Sequence, residues 1–414
     1  MDSRLGPALE SERLTSLDTL RGFAVLGILV INIQSFAMPF AAYFNPTAYG
    51  NLEGANYCTW FFSHVLADQK FMTIFSLLFG AGLLLLTSRV ESRGGSPARV
   101  HYSRMAWLLV FGLLHAYLLW YGDILVLYAF CGLLIYPCRK LRPWLLLLLG
   151  LLVIAIGSGI SLLGGLSMRY WPPEELAKLL SDWQPPPAVI AQEVAAYRGG
   201  WFAQMHARVP ASFEFQTFVI FVWGMWRAGG LMLVGMALHK LHFFGAERSR
   251  AFYVVLIALA VFAGLPTVLY GVQRNFAANW NVRYSFFFGQ QFNYWGSLLV
   301  SLGWIGLILL ACKAPRAGWL TRPLAAVGRM AFSNYILQTL ICTTLFYGHG
   351  VGLFGRVERA GQFAIVAGVW AVLLIFSSLW LRNFQFGPLE WLWRALTYWQ
   401  RPAFRRPSLQ PAAQ

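Results

Sequence analysis

Long apolar runs, broken by short polar and basic stretches, recur from one end of the chain to the other. As a helix, a run of about 20 such residues crosses a bilayer at a rise of 1.5 Å per residue. The pattern predicts about ten transmembrane helices, at 19–38, 69–88, 104–121, 123–138, 143–165, 213–238, 251–271, 289–312, 326–347 and 361–382. The segment 123–138 is short and is expected to tilt or to pair tightly with 104–121. The short alternating segments of a transmembrane barrel do not dominate anywhere. The predicted fold class is all-α: a polytopic membrane helix bundle, one transmembrane domain over 1–414.

The polar stretches alternate in charge. Arg4 and Arg13 precede the first run; Arg89, Arg93, Arg99 and Arg104 follow the second. Arg139, Lys140 and Arg142 follow the fourth, Lys240, Arg248 and Arg250 the sixth, and Lys313, Arg316 and Arg322 the eighth. The tail carries Arg394, Arg401, Arg405 and Arg406. The intervening loops hold acids, among them Glu53, Glu174, Glu175, Asp182 and Glu193. Basic loops stay in the cytoplasm, so both termini are expected there.

Two segments outside the runs have their own pattern. In 166–212, the sequence Trp171-Pro172-Pro173-Glu174-Glu175-Leu176 reads as a helix start, and Val189–Val209 is amphipathic after Pro185-Pro186-Pro187. This is expected to be an extracytoplasmic helical loop. Residues 383–414, with Trp391, Trp393, Tyr398 and Trp399, read as a cytoplasmic interfacial helix and basic tail.

Composition agrees with the pattern. The 414 residues are 58% hydrophobic and 12% charged, which excludes a soluble globular domain. The net charge of +16 sits in short loops, so the expected partner is the lipid bilayer and not nucleic acid. Cys58, Cys131, Cys138, Cys312 and Cys342 form no CxxC, and neither a disulfide nor a metal site is expected. The first run is read as a retained helix, not a removable signal. No internal repeat is visible, which weighs against an inverted-repeat transporter.

Ionisable groups at membrane depth are costly and often functional. Asp18 and Arg21 lie one turn apart at the mouth of the first run, with Asn32 about three turns further on the same face. Asp68 and Lys70 open the second run, and Arg227 lies within the sixth. Asn334 and Gln338 are one turn apart in the ninth. Each has a structural alternative: a cap for Asp18 or Asp123, a snorkelling Lys70, interhelical glue for Asn334 and Gln338. His115 and Asp123 are eight residues apart across a tight turn, so two folded-back helices would bring them close. A histidine oriented by a carboxylate is a usual general-base arrangement.

The chain resembles the YeiB family of bacterial inner-membrane proteins over nearly its whole length. The resembling blocks are Leu17–Phe23, Phe71–Gly82, His115, Gly122-Asp123-Ile124-Leu125, Tyr128-Ala129, Gly328–Gln338 and Phe386–Arg394. The family's first spans resemble the transmembrane acyltransferase superfamily, which includes heparan-α-glucosaminide N-acetyltransferase. That resemblance implies an inner-membrane location and an acyl donor, acyl-CoA such as acetyl-CoA, taken from the cytoplasm, with no permanently bound cofactor. It carries over Asp18, Arg21, Gly22 and Asp68. The catalytic histidine of the heparan enzyme precedes its second span, where this chain offers His64 at a shifted position; His115 belongs to the YeiB pattern and is the preferred base.

Two functions from different classes follow. The first is a membrane acyltransferase, in which His115 is the base, Asp123 orients it, Asp18, Arg21 and Asn32 line the donor path, and Lys70 or Arg227 binds an anion. Its acceptor would be a small-molecule, glycan or lipid hydroxyl or amine; a homodimer is a compatible assembly. The alternative is a transporter or flippase for a small polar or amphiphilic molecule.

Overall fold

A computed structural model describes residues 15–406; Arg4 and Arg13 of the first basic stretch and residues 407–414 of the tail lie outside them. The α-helices of ten residues or more are α1 (Thr15–Ala37), α2 (Gly54–Leu66), α3 (Lys70–Ser92), α4 (Pro97–Leu118), α5 (Leu125–Ile135), α6 (Pro143–Ser167), α7 (Pro173–Trp183), α8 (Pro187–Arg198), α9 (Trp201–Glu214), α10 (Met225–Lys240), α11 (Arg250–Leu259), α12 (Leu265–Ala277), α13 (Gln290–Lys313), α14 (Gly318–Arg329), α15 (Ala331–Phe346), α16 (Arg359–Asn383) and α17 (Pro388–Tyr398). π-Helical turns join α9 to α10 and α11 to α12. No β-strand occurs among the described residues, so the fold is all-α.

Among the described residues, seven helical stretches are long and apolar enough to cross a bilayer: Thr15–Ala37, Gly54–Ser92, Pro143–Tyr170, Trp201–Lys240, Arg250–Ala277, Val282–Lys313 and Arg359–Asn383. The other three expected spans also fold as helices, but fall short on length or polarity. α4 carries Arg99, His101, Arg104 and His115. α5 has 11 residues, about 16 Å of helix against a hydrocarbon core of about 30 Å. The expected span 326–347 breaks at Met330 (φ −112°, ψ 30°) into α14 and α15.

That break is capped from both sides. Asn334 Nδ2 donates to the Val327 carbonyl at 3.1 Å, satisfying the end of α14. Glu390, from α17, accepts from the amides of Phe332 (2.7 Å) and Ser333 (3.0 Å) and from Ser333 Oγ (2.6 Å), satisfying the start of α15. A Cβ at Gly387 would collide with the Glu390 carboxylate, so this close approach requires glycine. Burial pushes the Glu390 carboxyl above its ordinary range, and the Ser333 and Phe332 hydrogen bonds pull against that.

α1 is the hub. In its most apolar stretch 72% of residues are buried, against 28% for the stretches containing α6, α11–α12 and α16, which present apolar side chains outward. Phe262 and Leu163, 81% and 66% exposed, belong to that outward surface. Water would penalise it, whereas lipid tails do not. Backbone contact at the hub explains the glycine of the Asp18-x-x-Arg21-Gly22 block. A Cβ at Gly22 would fall on the Leu324 carbonyl oxygen, and one at Gly328 on that of Asp18. Helices α1 and α14 therefore pack through small residues, the means by which membrane helices gain close van der Waals contact.

The contacts sort into two ends. At one, the Arg104 guanidinium lies 3.8 Å from the Trp393 ring, Lys240 Nζ donates to the Leu141 carbonyl (2.7 Å) and Ser16 Oγ to that of Phe244 (2.7 Å). All are in or beside the basic stretches. At the other, Trp183 Nε1 donates to the Trp280 carbonyl (2.7 Å), and Tyr197 stacks on Phe354. The start of α1 and all of α17 share the basic end. The stretch Val189–Val209 divides at Gly199-Gly200 into α8 and α9, and α9 runs on into the span.

Candidate functional site

α4 and α5 fold back on each other about residues 119–124, bringing His115 and Asp123 together. Asp123 Oδ2 lies 2.7 Å from His115 Nδ1, while its Oδ1 accepts from the Val126 amide at 2.8 Å and caps the first turn of α5. His115 Nε2 lies 2.9 Å from Thr339 Oγ1 on α15. A carboxylate can only accept, so in the neutral ring Nδ1 holds the proton and Nε2 accepts from the threonine hydroxyl. Asp123, His115 and Thr339 thus form an acid–imidazole–hydroxyl relay, each side chain buried. The Tyr335 ring packs 5.1 Å from the imidazole.

Arg208, on α9, holds this corner. It is fully buried and donates to the carbonyls of Tyr117 (3.1 Å) and Leu119 (3.3 Å) at the end of α4, and Ser212 Oγ donates to that of Ala116 (2.8 Å). Without them the last carbonyls of α4 would lack partners. Thr339 and Arg208 were not legible in the sequence. An isolated Thr in an apolar run and an Arg on an amphipathic stretch each have many ordinary explanations.

A second polar cluster lies where α2, α3, α10 and α13 meet. Gln69 adopts a left-handed conformation (φ 65°), and this corner sets Asp68 and Lys70 side by side. Lys70 does not snorkel; it is fully buried. Its Nζ donates to the His64 carbonyl (2.8 Å) and to Asn293 Oδ1 (2.5 Å). Asn293 Nδ2 in turn donates to Asp68 Oδ2 (2.7 Å), which also lies 3.2 Å from His64 Nδ1. The His64 ring stacks on Trp60. Arg227 is bound by Tyr294 O (2.5 Å), Ser297 Oγ (2.6 Å) and Thr73 Oγ1 (3.1 Å), and lies over the Tyr294 ring. Its partners among the described residues are a carbonyl, hydroxyls and a ring. Lys70 and Arg227 thus share one neighbouring carboxylate, Asp68, in this cluster.

The remaining expected residues stand apart from both clusters. Asp18 and Arg21 pair with each other at 2.6 Å at the basic end, partly exposed. Asn32 is half-buried on α1. Asn334 and Gln338 join helices: Asn334 Nδ2 also donates to Ser377 Oγ (2.9 Å), and Gln338 Nε2 to the Val25 carbonyl (3.1 Å). Among the described residues no group of three or more His, Cys, Asp or Glu side chains is placed to hold a metal ion.

Residues 238–400 match the family model described as "Protein of unknown function (DUF418)". The chain is similar to "Uncharacterized protein YeiB" of Escherichia coli (strain K12), 34% identical over 398 residues, covering 93% of this chain and 96% of the relative. It is 29% identical over 425 residues to "Uncharacterized protein YxaH" of Bacillus subtilis (strain 168), covering 96% and 98%. A Bacillus acidopullulyticus relative, "Uncharacterized 39.9 kDa protein in amylase 3'region", is 28% identical over 394 residues, covering 95% and 96%. With matches of this length at both ends of the comparison, the chain belongs to the YeiB family.

Proposed function

We propose that this protein is a membrane acyltransferase of the bacterial cytoplasmic membrane, moving an acyl group, acetyl in the first instance, from cytoplasmic acyl-CoA to a hydroxyl or amine acceptor at the opposite face. The observation that supports it most is the buried relay of Asp123, His115 and Thr339 at the end away from the basic loops. An acceptor hydroxyl taking the place of Thr339 on Nε2 would give its proton to His115. The acceptor oxygen would bond to the acyl carbon, the carbon–sulfur bond would break, and the proton would pass to the departing thiolate. Asp123 would stabilise the imidazolium between those events. The basic end would face the cytoplasm.

The test uses the full chain in sealed vesicles, with labelled acetyl-CoA on the basic side and acceptor extracts on the other. Loss of transfer in His115→Ala, with His64→Ala still active, supports the reading. Loss only in His64→Ala moves the base to the His64–Asp68 pair. Active transfer in both overturns both assignments. A transporter is the second reading, favoured by the buried Asp68–Asn293–Lys70 chain at membrane depth. Acceptor uptake by the same vesicles without acyl-CoA consumption would select it.

A further inference from the structure

At the basic end, the tails of α3 and α10 and the turn after α5 surround an open hollow of about 540 Å³. That is the size range of small-molecule sites, and far larger than one water needs. Among the described residues its walls include Arg139, Lys140, His239, Lys240 and His242, against one acid, Glu91. Glu91 is 46% exposed and meets Arg139 through one contact of 3.3 Å, a weak competitor for the guanidinium. Two of the cations are held by their surroundings. Arg139 stacks over Tyr136 at 4.2 Å, and Lys240 Nζ donates to the Leu141 carbonyl. The helix ends here present carbonyls, which repel anions, so the side chains alone make the hollow cationic.

We propose that this hollow binds a phosphate-bearing ligand, with Arg139, Lys140 and Lys240 on the phosphate oxygens. A guanidinium and two ammonium groups lining one hollow, from the turn after α5 and the tail of α10, suit a phosphate with several oxygens better than a single carboxylate. Positive-inside topology explains basic residues in these loops; it does not explain a hollow of this size walled by them. The shared chemistry fits either a soluble diphosphate or the headgroup of an anionic lipid. The site does not depend on the acyl-transfer reading.

The experiment measures thermal stability of the full chain in nanodiscs of pure phosphatidylcholine, titrated with inorganic pyrophosphate. A second arm uses discs of equal parts phosphatidylcholine and phosphatidylglycerol. Binding to the folded state raises the melting temperature in a concentration-dependent way. Stabilisation by pyrophosphate identifies a soluble ligand class, and stabilisation only in the mixed discs a lipid headgroup. In Arg139→Met/Lys240→Met the half-saturating probe level should rise on the order of tenfold, falling back as salt is lowered. Arg316→Met, in a different basic loop, should match wild type. Should the double variant fold poorly, the exposed Lys140→Met should still rise severalfold. The site is refuted if neither probe stabilises the wild-type chain, or if the hollow variants and Arg316→Met respond alike.

Discussion

Lys70 and Arg227 make opposite predictions about what a buried cation is for. Arg227 has more partners, yet its removal should cost less. In Arg227→Met, Thr73 Oγ1 still donates to the Gln69 carbonyl (2.7 Å) and Ser297 Oγ to that of Tyr294 (3.2 Å). The Tyr294 carbonyl keeps that partner too, so no polar group is orphaned. A desolvated charge also disappears. The net change should be small, within about 1 kcal/mol of zero. Lys70→Met removes the ammonium from Asn293 Oδ1 and from the His64 carbonyl at the end of α2. The buried Asn293 Oδ1 and the part-buried His64 carbonyl then lack their partner, at up to about 1–3 kcal/mol each, and Asp68 loses a neighbouring basic group. The expected loss is on the order of 2–5 kcal/mol. Thermal unfolding of both variants in the same detergent, followed by tryptophan fluorescence, gives the ranking. If Arg227→Met is destabilised as much as Lys70→Met, counting orphaned partners does not describe this cluster. If Arg227→Met is as stable as wild type but lacks the protein's activity, its charge is kept for function.

Four further outcomes follow from the geometry. Thr339→Val removes the hydroxyl on His115 Nε2 but keeps the volume; if Thr339 only occupies the acceptor's place, transfer should survive within about tenfold, and abolition, with an acyl adduct on wild-type Thr339 by mass spectrometry, would make it the nucleophile. Gly22→Val should prevent assembly of α1 with α14, read as loss of folded protein after detergent extraction; a normally folded variant would contradict the backbone contact. Glu390→Ala uncaps α15 and should lower stability by about 1–2 kcal/mol, with protease cleavage near Met330 increasing; unchanged cleavage would count against the capping. Glu193, on α8 outside the spans, is pushed up to about 7 by burial, opposed by the Phe40 amide it accepts at 2.9 Å. The folded chain therefore holds this proton more tightly than the unfolded one, so stability should fall as pH rises from about 4.5 to about 7 and level off above. Glu193→Gln should flatten that component, and an unchanged profile would rule Glu193 out as its source.

The sequence determined the solvent of this protein and its all-helical class, while the ten expected spans became seven helical stretches of spanning length among the described residues. Apolar runs of bilayer length cannot leave their backbone groups unpaired in lipid, so they become helices whatever their neighbours are. The basic loops then gather at one end, where Arg104 meets Trp393 and Lys240 meets the Leu141 carbonyl. His115 and Asp123 were legible as a pair for a local reason: eight residues and a tight turn leave few ways to keep them apart. The tertiary structure decided the rest, because it depends on which faces of separate helices meet. Thr339 reaches His115 across 224 residues of chain, and Asn293 links Asp68 to Lys70 across more than 220. The same packing turned Asn334 from a membrane-depth polar residue into the cap of a broken helix. It also put Arg21 beside Asp18, apart from both buried clusters. Periodicity gives the face a side chain occupies along its own helix, but membrane helices associate by shape and small residues, and Gly22 against Gly328 fixed that contact only once α1 and α14 were in place.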